Sequence, residues 1–165
     1  MPPPLQAAAA FGIAYRAMTD ADLPFVAALY ASTRAEEVAA TGWPPEMQAA
    51  FLDQQHRAQH SHYRQAYRDG EWLIIERGAE AIGRLYLADS GAEIHLIDIS
   101  LLPRERGNGL GSAILDDLLA DAAARGKGIE LHVEKFNPAH RLYSRLGFLA
   151  VEEGGIYDRM VWRPG

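Results

Sequence analysis

The feature of the sequence that most constrains the fold is a glycine-rich segment between an apolar run and a helical pattern. It reads LLPRERGNGLGSAIL, from Leu101 to Leu115, with glycines at alternate positions. Glycine lets the backbone approach a ligand closely, and the first turn of a helix offers unpaired N–H groups with partial positive charge. Arg104 and Arg106 add full positive charges. The segment therefore predicts a strand, a loop and a helix N-terminus that bind a phosphate group.

Two common phosphate-binding motifs do not fit this segment. A dinucleotide fingerprint has its third glycine where Ser112 stands, and an acid about 20 residues later, where this chain has Lys127. A nucleoside triphosphate loop ends in Gly-Lys-Ser/Thr after four spacer residues, a run that this sequence lacks. A glycine turn that binds no ligand is the structural alternative.

The remaining pattern predicts an α/β fold of the mixed α+β kind. Three strand-like runs with short turns between them, EWLIIE, AIGRLYLA and EIHLIDISLL, predict an antiparallel meander. A strand and two helical stretches precede them, and a strand, a helix and a hairpin follow the glycine segment. This order predicts a mostly antiparallel seven-stranded sheet flanked by helices, with one parallel crossover around the glycine segment. We assign residues 13–165 to a single domain and residues 1–12 to a flexible tail.

Composition excludes several functional classes. The net charge of −6, from 16 basic and 22 acidic residues, argues against a nucleic-acid partner, which needs a basic face. The absence of cysteine excludes a disulfide framework and a cysteine nucleophile. The start of the chain lacks the basic and apolar regions of a secretory signal, and no apolar run has the length of a membrane span. We therefore expect a cytoplasmic protein with no membrane partner.

Two motifs resemble those of the GNAT superfamily of N-acetyltransferases. RGNGLG, beginning at Arg106, fits that superfamily's R/Q-x-x-G-x-G/A signature, and HVEKFNPAHRLYSRLGF is similar to its next block, in which an Asn, an Ala, a Tyr and a Gly-Phe recur. The order of elements is also similar from Ile13 to Trp162. The resemblance implies the GNAT fold and transfer of an acetyl group from acetyl-CoA to a primary amine, which we expect to belong to a small molecule. A protein or peptide acceptor, a non-catalytic acyl-CoA-binding module and a homodimer remain open alternatives.

The resemblance also implies which residues bind acetyl-CoA. The backbone N–H groups of the glycine loop, with the neighbouring arginines, would hold the pyrophosphate, and the splayed fourth strand would pair with the pantetheine arm. The implied contacts are Ile99, Leu101, Arg104, Arg106, Gly107, Asn108, Gly109, Leu110, Gly111, Ser112, Asn137 and Tyr143.

The chemistry needs a base and an acid, because an alkylamine is mostly protonated at neutral pH and the CoA thiolate must leave. Tyr143 matches the family's usual acid, although a core aromatic residue would fit the same pattern. Eleven residues before Arg106, where many family members carry Glu, this sequence has His95. Glu93 lies on the same strand face, whereas Asp98 should face the other way unless a bulge turns it. We name His95, and after it Glu93, as candidates for the base, with a water relay as the alternative.

The first two helices usually shape the acceptor pocket in this family. Glu36 and Glu37 are candidates for attracting an ammonium group, and Trp43 for stacking on it. Alternatively, the two acids end a solvated helix and Trp43 packs under the loop. His56 and His60 have the i, i+4 spacing of some metal ligands, but we interpret them as part of a solvated helix face and predict no metal.

Overall fold

The structure is a computed structural model that describes residues 1–152 and 155–165 with their side chains, and positions 153 and 154 by their backbone. The α-helices of the described chain are Leu23–Ala39 (α1), Pro45–Ala66 (α2), Leu110–Ala124 (α3) and Ala139–Arg145 (α4). The strands are Ile13–Ala17 (β1), Glu71–Arg77 (β2), Glu80–Asp89 (β3), Glu93–Leu101 (β4), Gly128–Glu134 (β5), Leu149–Gly154 (β6) and Tyr157–Trp162 (β7). Among these described helices, none combines the length and the apolar character that crossing a membrane requires.

The strands form one sheet in the order β1-β2-β3-β4-β5-β7-β6. Neighbouring strands run antiparallel except β4 and β5, which are parallel and are connected through α3. A parallel connection must cross over the sheet, and a helix is the usual crossover element. The predicted mostly antiparallel sheet with one parallel crossover is confirmed.

Helix α3 packs against the sheet with one apolar stripe. Leu110, Ile114, Leu118 and Ala122 repeat every four residues, and each is at most 1% exposed. Burial of each large side chain stabilises the fold by roughly 1.5–3 kcal/mol. The stripe therefore holds the N-terminus of α3, with the glycine segment before it, next to the end of β4.

A bulge in β4 controls which side chains share a face of the sheet. Tyr86 pairs with Asp98 whereas Leu87 pairs with Leu96, so Ile97 is an extra residue on β4. One inserted residue shifts the alternation of side chains, and Asp98 therefore lies on the same face as His95. The sequence predicted that Asp98 faces away from His95 unless a bulge turns it, and this bulge does turn it.

The parallel pairing of β4 with β5 is short. It joins Glu93 to Gly128, Ile94 to Ile129 and His95 to Glu130. Beyond these pairs the two strands part, and we call the paired part the closed end and the parted part the open end.

The N-terminal segment corrects a prediction. The sequence predicted a flexible tail over residues 1–12, whereas Ala7–Phe11 forms a short 3-10 helix against α3. The backbone N–H groups of Gln6, Ala7 and Ala8 donate to the buried carboxylate of Asp117 at 2.7–3.0 Å. A buried carboxylate needs such donors, and small alanine side chains allow the backbone to come close.

Candidate active-site cleft

A cleft of about 840 Å³ occupies the open end between β4 and β5. Strands β4 and β5 form its walls, α3 and α4 close one side, and α1 and α2 close the other. The separation of two parallel strands leaves backbone N–H and C=O groups along both edges without a strand partner at this point. An elongated ligand that carries amide groups can use such edges as an added strand would.

The structure brings about half of the expected acetyl-CoA contacts to the cleft. The lining includes Ile99, Leu101, Arg106, Gly111, Asn137 and Tyr143. Leu110 is fully buried in the core and lies outside the lining. Arg104 pairs with Glu80 and Glu105 outside the lining. The other expected contacts, also outside the lining, are Gly107, Asn108, Gly109 and Ser112.

The three glycines of the loop are required for different structural reasons. Gly107 and Gly109 have φ of +77° and +93°, a conformation that other residues adopt only with strain. Gly111 has no such φ, and a Cβ there would meet only Leu101 among its non-adjacent neighbours, at 3.8 Å. Because Gly111 lines the cleft, its missing side chain keeps the cleft open at the start of α3.

Arg106 is fixed at the same place. Its Nε donates to the carbonyl of Leu101 at 2.9 Å, and its Nη2 donates to the hydroxyl of Ser32 on α1 at 3.2 Å. These contacts hold a positive charge beside the α3 N-terminus, where the helix dipole also favours an anion.

Tyr143, on α4, is 8% exposed and packs against Phe148 with 5.6 Å between ring centroids. Burial, and after it the nearby charge of Asp98, raises the pKa of Tyr143 above its ordinary value. The phenol is therefore held in its protonated form, which is the form that can donate a proton.

A second group of side chains lies around Asp98 in the same cleft. Arg84, only 3% exposed, forms an ion pair with Asp98 and donates from Nη2 to Gln59 at 3.0 Å. Ser100 donates to the carboxylate of Asp98 at 3.0 Å. Burial, and after it Asp98, raises the pKa of Tyr63 on α2.

Sequence reasoning missed Arg84, Gln59 and Tyr63. A signal for Arg84 was present, because it is the single charged residue in the otherwise apolar run AIGRLYLA. A charged side chain in a buried strand is costly unless it is paired, so it marks a partner elsewhere in the fold. Gln59 and Tyr63 lie in a polar helix and had no comparable signal.

The two candidates for the base lie at the closed end and outside the cleft lining. His95 has its Nε2 3.4 Å from a carboxylate oxygen of Glu130, and its ring contacts those of Tyr67 and His132. Glu93 accepts a hydrogen bond from Arg163 at 2.8 Å. The structure thus separates these two residues from Tyr143.

Of the three residues predicted to bind the acceptor, two line the cleft and one does not. Glu36 and Glu37 line the cleft, and Arg34 links Glu37 at 3.1 Å to Glu134 at 3.0 Å. Trp43 lies outside the lining, where it packs edge-on against a neighbouring phenylalanine and is 38% exposed.

The histidines of α2 partly correct the sequence interpretation. His56 was expected on a solvated face but is only 4% exposed, and its ring lies 5.7 Å from that of Tyr30 on α1. Burial lowers the pKa of His56, so its neutral form is favoured. His56 is buried because α2, although mostly polar, packs one of its sides against α1.

Comparisons with known proteins agree with this geometry. Residues 27–148 match the family model described as the acetyltransferase (GNAT) family. The PaiA N-acetyltransferase of Thermoplasma acidophilum, solved in complex with coenzyme A, is 16% identical with a TM-score of 0.65, and the alignment covers 92% of this chain and 98% of that one. An acetyltransferase from Thermus thermophilus is 18% identical with a TM-score of 0.65, covering 92% and 97%.

A third structure, described as a histone acetyltransferase and related acetyltransferase from Corynebacterium glutamicum, is 20% identical with a TM-score of 0.63, covering 93% and 97%. No curated protein sequence matches the chain. At these identities the solved structures show a shared fold.

Proposed function

The chain belongs to the GNAT family of acetyltransferases, and from that premise we propose that it transfers the acetyl group of acetyl-CoA to a primary amine of a small molecule. The observation that carries the proposal is the parting of β4 and β5 after their three paired positions. The parted strands form a slot that has the α3 N-terminus on one side and Tyr143 within its lining.

Acetyl-CoA fits this slot by its chemistry. The pantetheine arm carries amide groups, which the β4 backbone at Ile99 and Leu101 can bind as it would bind a strand. The pyrophosphate is an anion, which the N–H groups at the start of α3 and the guanidinium of Arg106 favour. Gly111 lets the backbone come close to the ligand.

In the transfer, the amine nitrogen attacks the thioester carbonyl carbon, and the carbon–sulfur bond breaks. Tyr143 donates its hydroxyl proton to the departing thiolate. The raised pKa of Tyr143 supports this role, because the acid must still hold its proton when the amine attacks. The amine nitrogen loses its proton to a base, which restores the proton balance.

We assign the base role to Asp98, acting directly or through water. Asp98 lines the cleft, and its charge influences Tyr143, whereas His95 and Glu93 lie at the closed end with partners of their own. A carboxylate at this position also attracts the ammonium form of the acceptor. His95 and Glu93 remain the competing candidates, and their comparison with Asp98 is a direct test.

The acceptor end of the cleft suits a cationic small molecule. The cleft lining holds four carboxylates against three guanidinium groups, which leaves a small excess of negative charge: Glu36, Glu37, Asp98 and Glu134 against Arg34, Arg84 and Arg106. Arg34 pairs with Glu37 and Glu134, and Gln59 and Tyr63 of α2 also line the cleft. An ammonium group gains from carboxylates at a partly buried site, where water screens the charges less than in bulk solution.

The proposal is tested by following the release of free CoA with a panel of small amines, amino acids and lysine peptides. We expect acetyl-CoA-dependent turnover with at least one small amine, a mass increase of one acetyl group in that product, and weaker turnover with peptides. Turnover confined to peptides would favour the protein acetyltransferase alternative. Acetyl-CoA binding without turnover across the panel would favour the non-catalytic module.

A further inference from the structure

Three potential metal ligands converge where the pairing of β4 with β5 ends, and one of them, His132, also lines the cleft. His95 of β4 and Glu130 and His132 of β5 each offer one donor atom, and all of these atoms lie within 4.8 Å of one another. The acetyl transfer proposed above uses none of the three. Their placement together therefore needs another explanation.

The backbone explains how the three side chains meet. His95 is paired directly with Glu130 across the strands. His132 follows Glu130 by two residues, so both point to the same face of the sheet. This pairing sets the positions of the donor atoms through the backbone, and a metal site needs such a rigid support.

The separation of the His95 and Glu130 donor atoms is close to that between two ligands of a tetrahedral metal ion. Ligand bonds of 2.0–2.2 Å to Zn²⁺ place neighbouring donor atoms roughly 3.3 Å apart. His95 Nε2 and Glu130 Oε1 are already 3.4 Å apart. His132 is exposed, so its side chain is free to rotate and close the remaining gap.

The surroundings supply a second layer of contacts. Arg159 donates from Nε to Glu130 Oε1 at 2.7 Å, as groups outside a metal site commonly do to orient a ligating carboxylate. The Tyr67 ring lies 5.3 Å from that of His95. The guanidinium also repels a cation, so we expect moderate affinity.

We propose that His95, Glu130 and His132 bind a divalent transition-metal ion of the zinc type. Two imidazoles and one carboxylate are a common protein donor set for Zn²⁺ that leaves a fourth position for water. The ion joins β4 to β5 where their backbone pairing stops. It therefore stabilises the point from which the cleft opens.

The test uses the full chain with no affinity tag, stripped of metal by a chelator that is then removed. Zn²⁺ is titrated by calorimetry, and Co²⁺ by its visible absorption, which reports a four-coordinate site. We expect one ion per chain, at least about tenfold weaker binding in His95→Ala and in His132→Ala, and a rise in Tm with Zn²⁺ that both variants lose. Circular dichroism establishes that the variants are folded.

Two control variants separate this site from other histidines. His62→Ala removes an exposed histidine of α2, and His60→Ala removes one member of the i, i+4 pair on the same helix. Both should bind Zn²⁺ as the unaltered protein does. The proposal is overturned if the unaltered protein binds no ion, if His60→Ala abolishes binding, or if folded His95→Ala and His132→Ala keep full affinity.

Discussion

The two ends of the β4–β5 pair carry different kinds of site on the same two strands. At the closed end, His95 faces Glu130 across a regular backbone pairing. At the open end, Asp98 lies beside a cleft that Tyr143 and Gly111 also line. The one-residue bulge at Ile97 lies between the two ends. The sequence position of a polar residue in β4 therefore does not by itself show whether its side chain lies in the cleft.

The two ends also differ in how their charges are balanced. At the open end, Arg84 is almost fully buried and pairs with Asp98, so the charges act on Tyr143 and Tyr63 with little screening by water. At the closed end, arginines of β7 and of the C-terminus neutralise Glu130 and Glu93 near the surface. Proton transfer is therefore better supported at the open end.

The largest expected effect concerns Gly111, at the open end. Gly111→Val places a branched side chain in the cleft and should weaken acetyl-CoA binding at least about 100-fold, since the ligand and the side chain would need the same space. The fold has room for the change, because a Cβ there has only an ordinary contact with Leu101. Ala120→Val, on the exposed side of the same helix, is the matched control and should bind normally. Calorimetry that finds equal affinity in both variants would remove the glycine loop from the ligand site.

The next largest effect is expected on turnover when Tyr143, the proposed general acid, is changed. Tyr143→Phe removes one hydroxyl and keeps the ring, and turnover should fall by about 10²-fold with little change in acetyl-CoA affinity. Tyr15→Phe removes another buried hydroxyl, on β1, and should leave turnover unchanged. Steady-state kinetics with similar turnover in both variants would reduce Tyr143 to a packing residue.

A smaller effect compares the two ends directly. Asp98→Asn should lower turnover at least about tenfold, because the amide cannot take up the proton, whereas His95→Ala should change it by less than about threefold. A chelator in the assay keeps the proposed metal site from contributing. The reverse order of the two effects would move the base to the closed end, and an activity loss in His95→Ala that high pH rescues would support an imidazole base.

The smallest expected effect concerns the pH dependence of turnover, which should show no decline at high pH. A raised pKa in Tyr143 means that its neutral, proton-donating form persists as the pH passes the ordinary tyrosine value of about 10. Turnover at saturating acceptor should therefore not decline between about pH 8 and pH 10. A descending limb with an apparent pKa near 10 that disappears in Tyr143→Phe would contradict the assigned environment of this residue.

Local motifs explain why much of the fold could be predicted. The glycine segment, the short hairpin turns and the stripe on α3 are encoded within a few residues of each other, so the sheet order around β4, α3 and β5 followed from them. The family resemblance carried by these motifs implied Arg106, Gly111 and Tyr143 as acetyl-CoA contacts, and all three line the cleft.

Other features depend on residues that are distant in the sequence. The packing of Ala7–Phe11 needs the carboxylate of Asp117, about 110 positions away, and the alanine run by itself carries no such signal. The buried Arg84 was visible as an isolated charge, but its partners Asp98 and Gln59 come from another strand and from α2.

The sequence by itself determined that this chain has a glycine-rich strand–loop–helix unit with a nearby basic charge, since those properties belong to adjacent residues. Tertiary structure alone decided which face Asp98 occupies, because the register of β4 against β3 inserts Ile97 as a bulge and reverses the alternation beyond it. It also decided that His95 meets Glu130 and His132, because the parallel pairing with β5 is set by the crossover through α3. Side-chain roles along a strand follow from register, and register is a property of the whole sheet.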